Sequence, residues 1–111
     1  MTARLATEIW VSAYLMRLGA EGIPAFIAHK GDRVAGAVAV KIAFMNGKAS
    51  LYTRHYDFTG HLKWDGLLEQ VEEAAVDAAI ARRLRGDRDL WVVEVEDPQG
   101  RHLLDTPGLE E

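Results

Sequence analysis

The stretch from Val34 to Tyr52, VAGAVAVKIAFMNGKASLY, limits what this chain can fold into more than any other. Its even positions are Val34, Gly36, Val38, Val40, Ile42 and Phe44, and its odd ones are Ala35, Ala37, Ala39, Lys41 and Ala43. A period of two predicts a strand from Val34 to about Phe44. Apart from Gly36, the contrast is large against small rather than apolar against polar. Large side chains fill a core on one face, and the alanine face admits a helix or another backbone. Asn46-Gly47 then predicts a hairpin, since both residues tolerate positive φ, so Lys48 to about Tyr56 pairs antiparallel with the strand before it. Lys41 stands alone on the small face. A cation there must snorkel, face a cleft or pair with an acid such as Glu94, and structural pairing is the expectation.

The other elements follow from periodicity and punctuation. Thr7 to Leu18 reads as a helix stopped by Gly19. At 100° per residue Leu5, Ile9, Ala13 and Met16 form one stripe, while Trp10, Val11, Tyr14, Leu15 and Leu18 cover most of the rest. A helix apolar nearly all round packs between two layers or gives one face to a second subunit. In so short a chain the second is expected, with Trp10, Tyr14 and Leu18 as the interface residues. After Gly22-Ile23-Pro24 come a short strand, Ala25 to His29, and a turn, Lys30 to Arg33. A further strand covers Leu62 to Leu68. Glu69 to Gly86 is a helix with acids first, arginines last and a glycine stop, as the helix dipole favours. Leu90 to Glu96 is a strand with Trp91, Val93 and Val95 inward. Asp97-Pro98-Gln99-Gly100 turns the chain, and Arg101 to Leu104 returns as an edge strand. The order α-β-β-β-β-α-β-β predicts an α+β domain over 1–104, on a mainly antiparallel sheet of five to six strands, with a frayed tail at 105–111.

Composition narrows the function classes. At 111 residues the chain supports one core. It has no cysteine, so disulfides, thiolate catalysis and zinc-thiolate sites are excluded. A net charge of −4 disfavours nucleic acid and anionic membranes as partners. No apolar run approaches the roughly 18 residues of a membrane span. The run Ile9 to Met16 follows Glu8 and makes no secretory signal, so a cytoplasmic setting is expected.

Polar chemistry concentrates in RHYDFTGHLKW, residues 54–64. His55, Asp57 and His61 are the ligand types of a two-histidine, one-carboxylate metal site, but the spacing is no known signature and falls on a strand end and turn. His29 or His102 would have to complete it from elsewhere. General acid–base work could use a histidine here with Asp57, or Glu94 with Glu96, which share a strand face. Phosphate loops are absent, since Ile42 and Ala49 stand where glycine and serine or threonine are needed. Neither Ser12 nor Ser50 sits in a nucleophile elbow. Tyr52, Tyr56, Phe58 and Trp64 would line a pocket or an interface, or pack the hairpin. No metal and no cofactor is implied.

EIWVSAYLMR near the start, GDRVAGAVAVK running into GKASLY, and DLWVVEVEDPQGRHLLD near the end together resemble domain-of-unknown-function family 1491. Its members are short, stand-alone alphaproteobacterial proteins. The resemblance covers nearly the whole chain and departs at Gly86-Asp87-Arg88, where the family tends to have Phe-Asp-Pro. It implies a bacterial cytosolic context and a complete single domain, and brings no activity, cofactor or catalytic residue. The leading expectation is a non-catalytic interaction or regulatory module that forms a homodimer or binds a protein partner. The alternative is a small enzyme or ligand- or metal-binding protein with its site at His55, Asp57 and His61, joined by Lys41, Glu94 or His102.

Overall fold

A computed structural model of the chain describes residues 5–105, apart from the side chain of Tyr56. It contains α1 (Thr7–Ala20), β1 (Ala25–His29), β2 (Val38–Ala43), β3 (Lys48–Tyr56), β4 (Leu62–Glu72), α2 (Glu73–Gly86) and β5 (Trp91–Glu96). The strands form one sheet in the order β1-β5-β2-β3-β4. β1 with β5, β2 with β3, and β3 with β4 are antiparallel, whereas β2 and β5 are parallel, Val38 opposite Trp91 through Ala43 opposite Glu96. The fold is therefore α+β with a mixed five-stranded sheet.

Where chain length led to the expectation of one core, the alternation in β2 divides the interior into two clusters, one on each face of the sheet. Val38, Val40 and Ile42 meet Trp91, Val93 and Val95 of β5 under Trp10, Val11, Tyr14 and Leu18 of α1. On the other face Ala39, Leu51 and Val92 meet Val76 and Ile80 of α2. Each of the largest buried side chains adds about 1.5–3 kcal/mol. The buried aromatics keep their polar ends bonded: the Tyr14 hydroxyl donates to the His102 carbonyl at 2.7 Å, and Trp91 Nε1–H to the Asp32 carbonyl at 2.6 Å.

Four departures from the sequence expectations have physical causes. β2 begins at Val38, not Val34, because the backbone before it is committed elsewhere. Asp32 Oδ2 accepts from the amides of Val34 and Ala35, and the carbonyls of Arg33 and Val34 cap the α1 amides of Glu8 and Thr7. Second, Arg101 to Leu104 is not a strand. β5 is already paired on both sides, by β1 and β2, so no edge remains beside it. The segment instead folds over the α1 core and buries Leu104. Third, β4 runs on to Glu72, so α2 starts at Glu73 rather than Glu69. The irregular register opposite β3 absorbs Gln70 at φ 51°, with its amide on Ser50 Oγ. Fourth, the hairpin loop is Met45-Asn46-Gly47, closed by Phe44 N–H to the Lys48 carbonyl, with positive φ at Met45 and Gly47 while Asn46 bonds the Lys48 amide through its side chain. The expected tail lies outside the described residues beyond Asp105.

Candidate functional site

The expected interface residues are core. Trp10, Tyr14 and Leu18 are 2%, 0% and 0% exposed, so α1 turns toward the sheet the face expected to meet a second subunit. Its larger side chains gain most from burial and take the inward position. Leu5, Ile9 and Met16 face outward at 46%, 55% and 76% exposure.

Lys41 is the centre of an ionic cluster on the α2 face. Its Nζ lies 2.7 Å from Glu73, 2.7 Å from Asp77 and 3.5 Å from Glu94. The expected pairing with Glu94 is thus joined by two acids from the first turns of α2, which the period-two reading of the strand had no means to find. Burial alone would lower the lysine pKa, but the hydrogen bonds to Asp77 and Glu73 and the charge of Glu94 outweigh it and hold the ammonium above its ordinary value. Glu94 shifts in the opposite sense to an ion-paired acid. Burial raises it, Lys41 only partly offsets this, and the charges of Glu73 and Asp77 add to the rise. One cation shared by three carboxylates explains both directions: the two nearer acids take the ammonium, and the farther, more buried one is left short of charge. A lysine held charged in this way is no nucleophile. It ties α2 to the sheet.

The 54–64 stretch ends β3, turns and starts β4, and its polar groups are used locally. Asp57 Oδ1 accepts from the Thr59 amide at 2.9 Å, the Thr59 hydroxyl at 2.6 Å and the His61 amide at 3.0 Å. These bonds, that from the Thr59 hydroxyl foremost, hold the carboxyl down at about 2, a poor base near neutral pH. Thr59 Oγ1 is also 2.8 Å from His61 Nδ1. His55 instead pairs with Asp65 across the hairpin at 3.0 Å, both side chains about half exposed. No group of three or more histidine, aspartate or glutamate side chains suited to a metal ion is present among the described residues. Phe58 is fully exposed at the tip, and the side chain of Tyr56 lies outside the described residues.

The four histidines do not converge. His29 Nδ1 donates to the Leu90 carbonyl at 2.7 Å where β1 meets β5. His102 instead joins Tyr52 and Trp64, two of the aromatics expected to line a pocket or an interface, a grouping that the sequence did not show. The His102 ring packs against that of Tyr52, tilted at 48° with centroids 4.8 Å apart, beside a cavity of about 440 Å³ lined by Tyr52, Leu62, Lys63, Trp64, Leu104 and Asp105. The Leu104 amide donates to His102 Nδ1 at 3.0 Å. Because that nitrogen accepts, the proton of the neutral ring resides on Nε2. Burial favours this neutral form by lowering the pKa, against the pull of Asp105. The Tyr52 hydroxyl bonds to Glu69, and burial and that carboxylate both raise its pKa. Gly66, directly opposite Tyr52, makes this possible, since a Cβ there would stand 2.6 Å from Glu69 Oε1. A glycine inside a predicted strand was the available signal for this site.

The model of the family described as "Protein of unknown function (DUF1491)" matches residues 5–105. The chain belongs to the DUF1491 family. Among solved structures, a crystal structure of a DUF1491 family protein from Caulobacter crescentus CB15 is 40% identical, with a TM-score of 0.84 over 91% of this chain and 95% of that one. An NMR structure of a DUF1491 family protein from the same organism is 39% identical, with a TM-score of 0.82 over 93% and 94%. Protein Atu0922 from A. tumefaciens, solved in solution, is 32% identical, with a TM-score of 0.74 over 85% and 86%. No curated protein matches. The DUF1491 name carries no activity, so the geometry of this chain must supply the functional reading. No helix among the described residues is long and apolar enough to cross a membrane.

Proposed function

We propose that this DUF1491 protein is a non-catalytic interaction module of the bacterial cytosol that self-associates through the outer stripe of α1. One observation carries the reading: a helix already buried along Trp10, Tyr14 and Leu18 presents Ile9 and Met16 to solvent on its other side, with Leu5 exposed just before its first turn. That side suits a second copy of the same chain. About a two-fold axis between Ser12 and Ala13, antiparallel helices set Ile9 against the partner's Met16 twice, and the small, exposed Ser12 at the crossing lets the backbones approach. The two turns from Ile9 to Met16 bury less than the roughly 800 Å² per partner of a standard interface, so the dimer is weak and concentration-dependent. The competing reading, a polar site at His55, Asp57 and His61, has no comparable support, since Asp57 and His61 hold their own turn and His55 pairs with Asp65.

Size-exclusion chromatography with light scattering tests the proposal. A dimer is expected at high micromolar concentration, and Ile9→Glu and Met16→Glu should each give folded monomer with an unchanged circular dichroism spectrum. A wild-type chain that stays strictly monomeric sinks it.

A further inference from the structure

We infer that the cavity between Tyr52, Trp64 and His102 is a binding site for a small organic cation bearing an alkylammonium group. Its volume of about 440 Å³ falls within the range that small-molecule sites occupy, about 300–1,000 Å³. Tyr52, Trp64 and His102 bring three aromatic side chains to its lining, together with Leu62, Leu104, Lys63 and Asp105. Aromatic faces attract cations through their quadrupole, and the chain already uses this nearby, where the Arg54 guanidinium lies 5.0 Å over the Trp10 ring.

Acids outnumber bases around the cavity. Asp105 is in the lining and Glu69 bonds the Tyr52 hydroxyl, and both act electrostatically on that hydroxyl. Lys63 contributes to the rim, but it alternates with Trp64 along β4, so its side chain leaves by the other face of the sheet. Arg54 lines the neighbouring cavity near the start of α1 instead, and Arg101 is held by Asp97 through two hydrogen bonds from its guanidinium. An anionic ligand would therefore meet two carboxylates, with Lys63 reaching only the rim.

The site is also held in shape. The His102 carbonyl is fixed by the Tyr14 hydroxyl, its Nδ1 by the Leu104 amide, and its ring by Tyr52. Between them Leu103 adopts φ 59°, a strained value for a leucine that this bonding pattern imposes. Nε2–H has no bonding partner among the described residues. Since no wholly buried polar side-chain atom lacks one, Nε2 is reachable by solvent and free to donate to a hydroxyl or carbonyl on the ligand. Aromatic walls, two carboxylates and one positioned N–H together select an amino-alcohol or similar compound over an acid or a plain hydrocarbon.

The test is an NMR titration of the full chain with choline, run beside its neutral isostere 3,3-dimethylbutan-1-ol and beside acetate. Choline should shift the amides of residues 52, 62–66 and 102–105 and the Trp64 indole. The isostere should bind about tenfold more weakly, reflecting the lost cation–π and charge attraction, and acetate should not bind there. Glu69→Gln and Asp105→Asn should each weaken choline about threefold. Asp105→Asn lies on an exposed residue, so its effect is readable even if Glu69→Gln disturbs Tyr52. Equal binding of choline and the isostere, shifts confined to other residues, or no shift with choline would each overturn the assignment.

Discussion

At the scale of single residues, Lys41 shows how one charge can be structural rather than catalytic. Its side chain is 5% exposed, yet three carboxylates surround it. Removing the cation leaves those acids facing one another, so Lys41→Met should cost about 2–4 kcal/mol, read by urea denaturation. The pH dependence has a definite sign. A group whose folded pKa is raised contributes stability that is complete below its unfolded value and is lost as pH climbs through the folded one. Lys41 is raised above 10.5, and burial raises Tyr14 above 10.0. From neutral pH upward the melting temperature should thus hold level to about pH 10 and fall beyond it, and in Lys41→Met only the part of that fall due to Tyr14 and Tyr52 should remain. That Lys41 needed a partner was legible from its place among alanines. Which partners it found was not, because Glu73 and Asp77 arrive from an element whose docking face no local pattern specifies.

At the scale of elements, the loop from Lys30 to Ala37 carries more of the fold than its predicted role as a turn and the start of a strand. It caps α1 with the carbonyls of Arg33 and Val34, accepts the Trp91 indole, and packs its glycines on the chain before β5. A Cβ on Gly36 would stand 2.4 Å from the Asp89 carbonyl oxygen and 2.9 Å from that of Asp32. Backbone cannot yield as a side-chain tip can, so Gly36→Ala should lose about 2–4 kcal/mol, measurable as a lowered denaturation midpoint with an unchanged slope. The odd glycine in an otherwise regular alternation was therefore the visible trace of this contact. Periodicity also resolved α1 into its two stripes, and it erred only over which of them meets the sheet. Both are apolar, so the pattern alone leaves the orientation open, and the greater area of Trp10 and Tyr14 decides it.

At the scale of the whole molecule, the α+β class and the β2–β3 hairpin could be read from the chain, because they rest on local period and turn chemistry. The parallel pairing of β2 with β5 could not, since strand order is set by how α2 returns the chain across the sheet. A consequence can be measured. A chain ended at Gly86 lacks the strand that joins β1 to the other three, and it should be digested by dilute protease at concentrations that leave the full chain intact.

That placement of β5 also governs the timing of assembly. During synthesis β2, β3 and β4 can pair as soon as they emerge, but β1 has no neighbour and β2 keeps a bare edge until Trp91–Glu96 leaves the ribosome. Until then the emerged chain carries two strand edges, one on β1 and one on β2, that only β5 can pair, so the sheet closes last around its second strand in space.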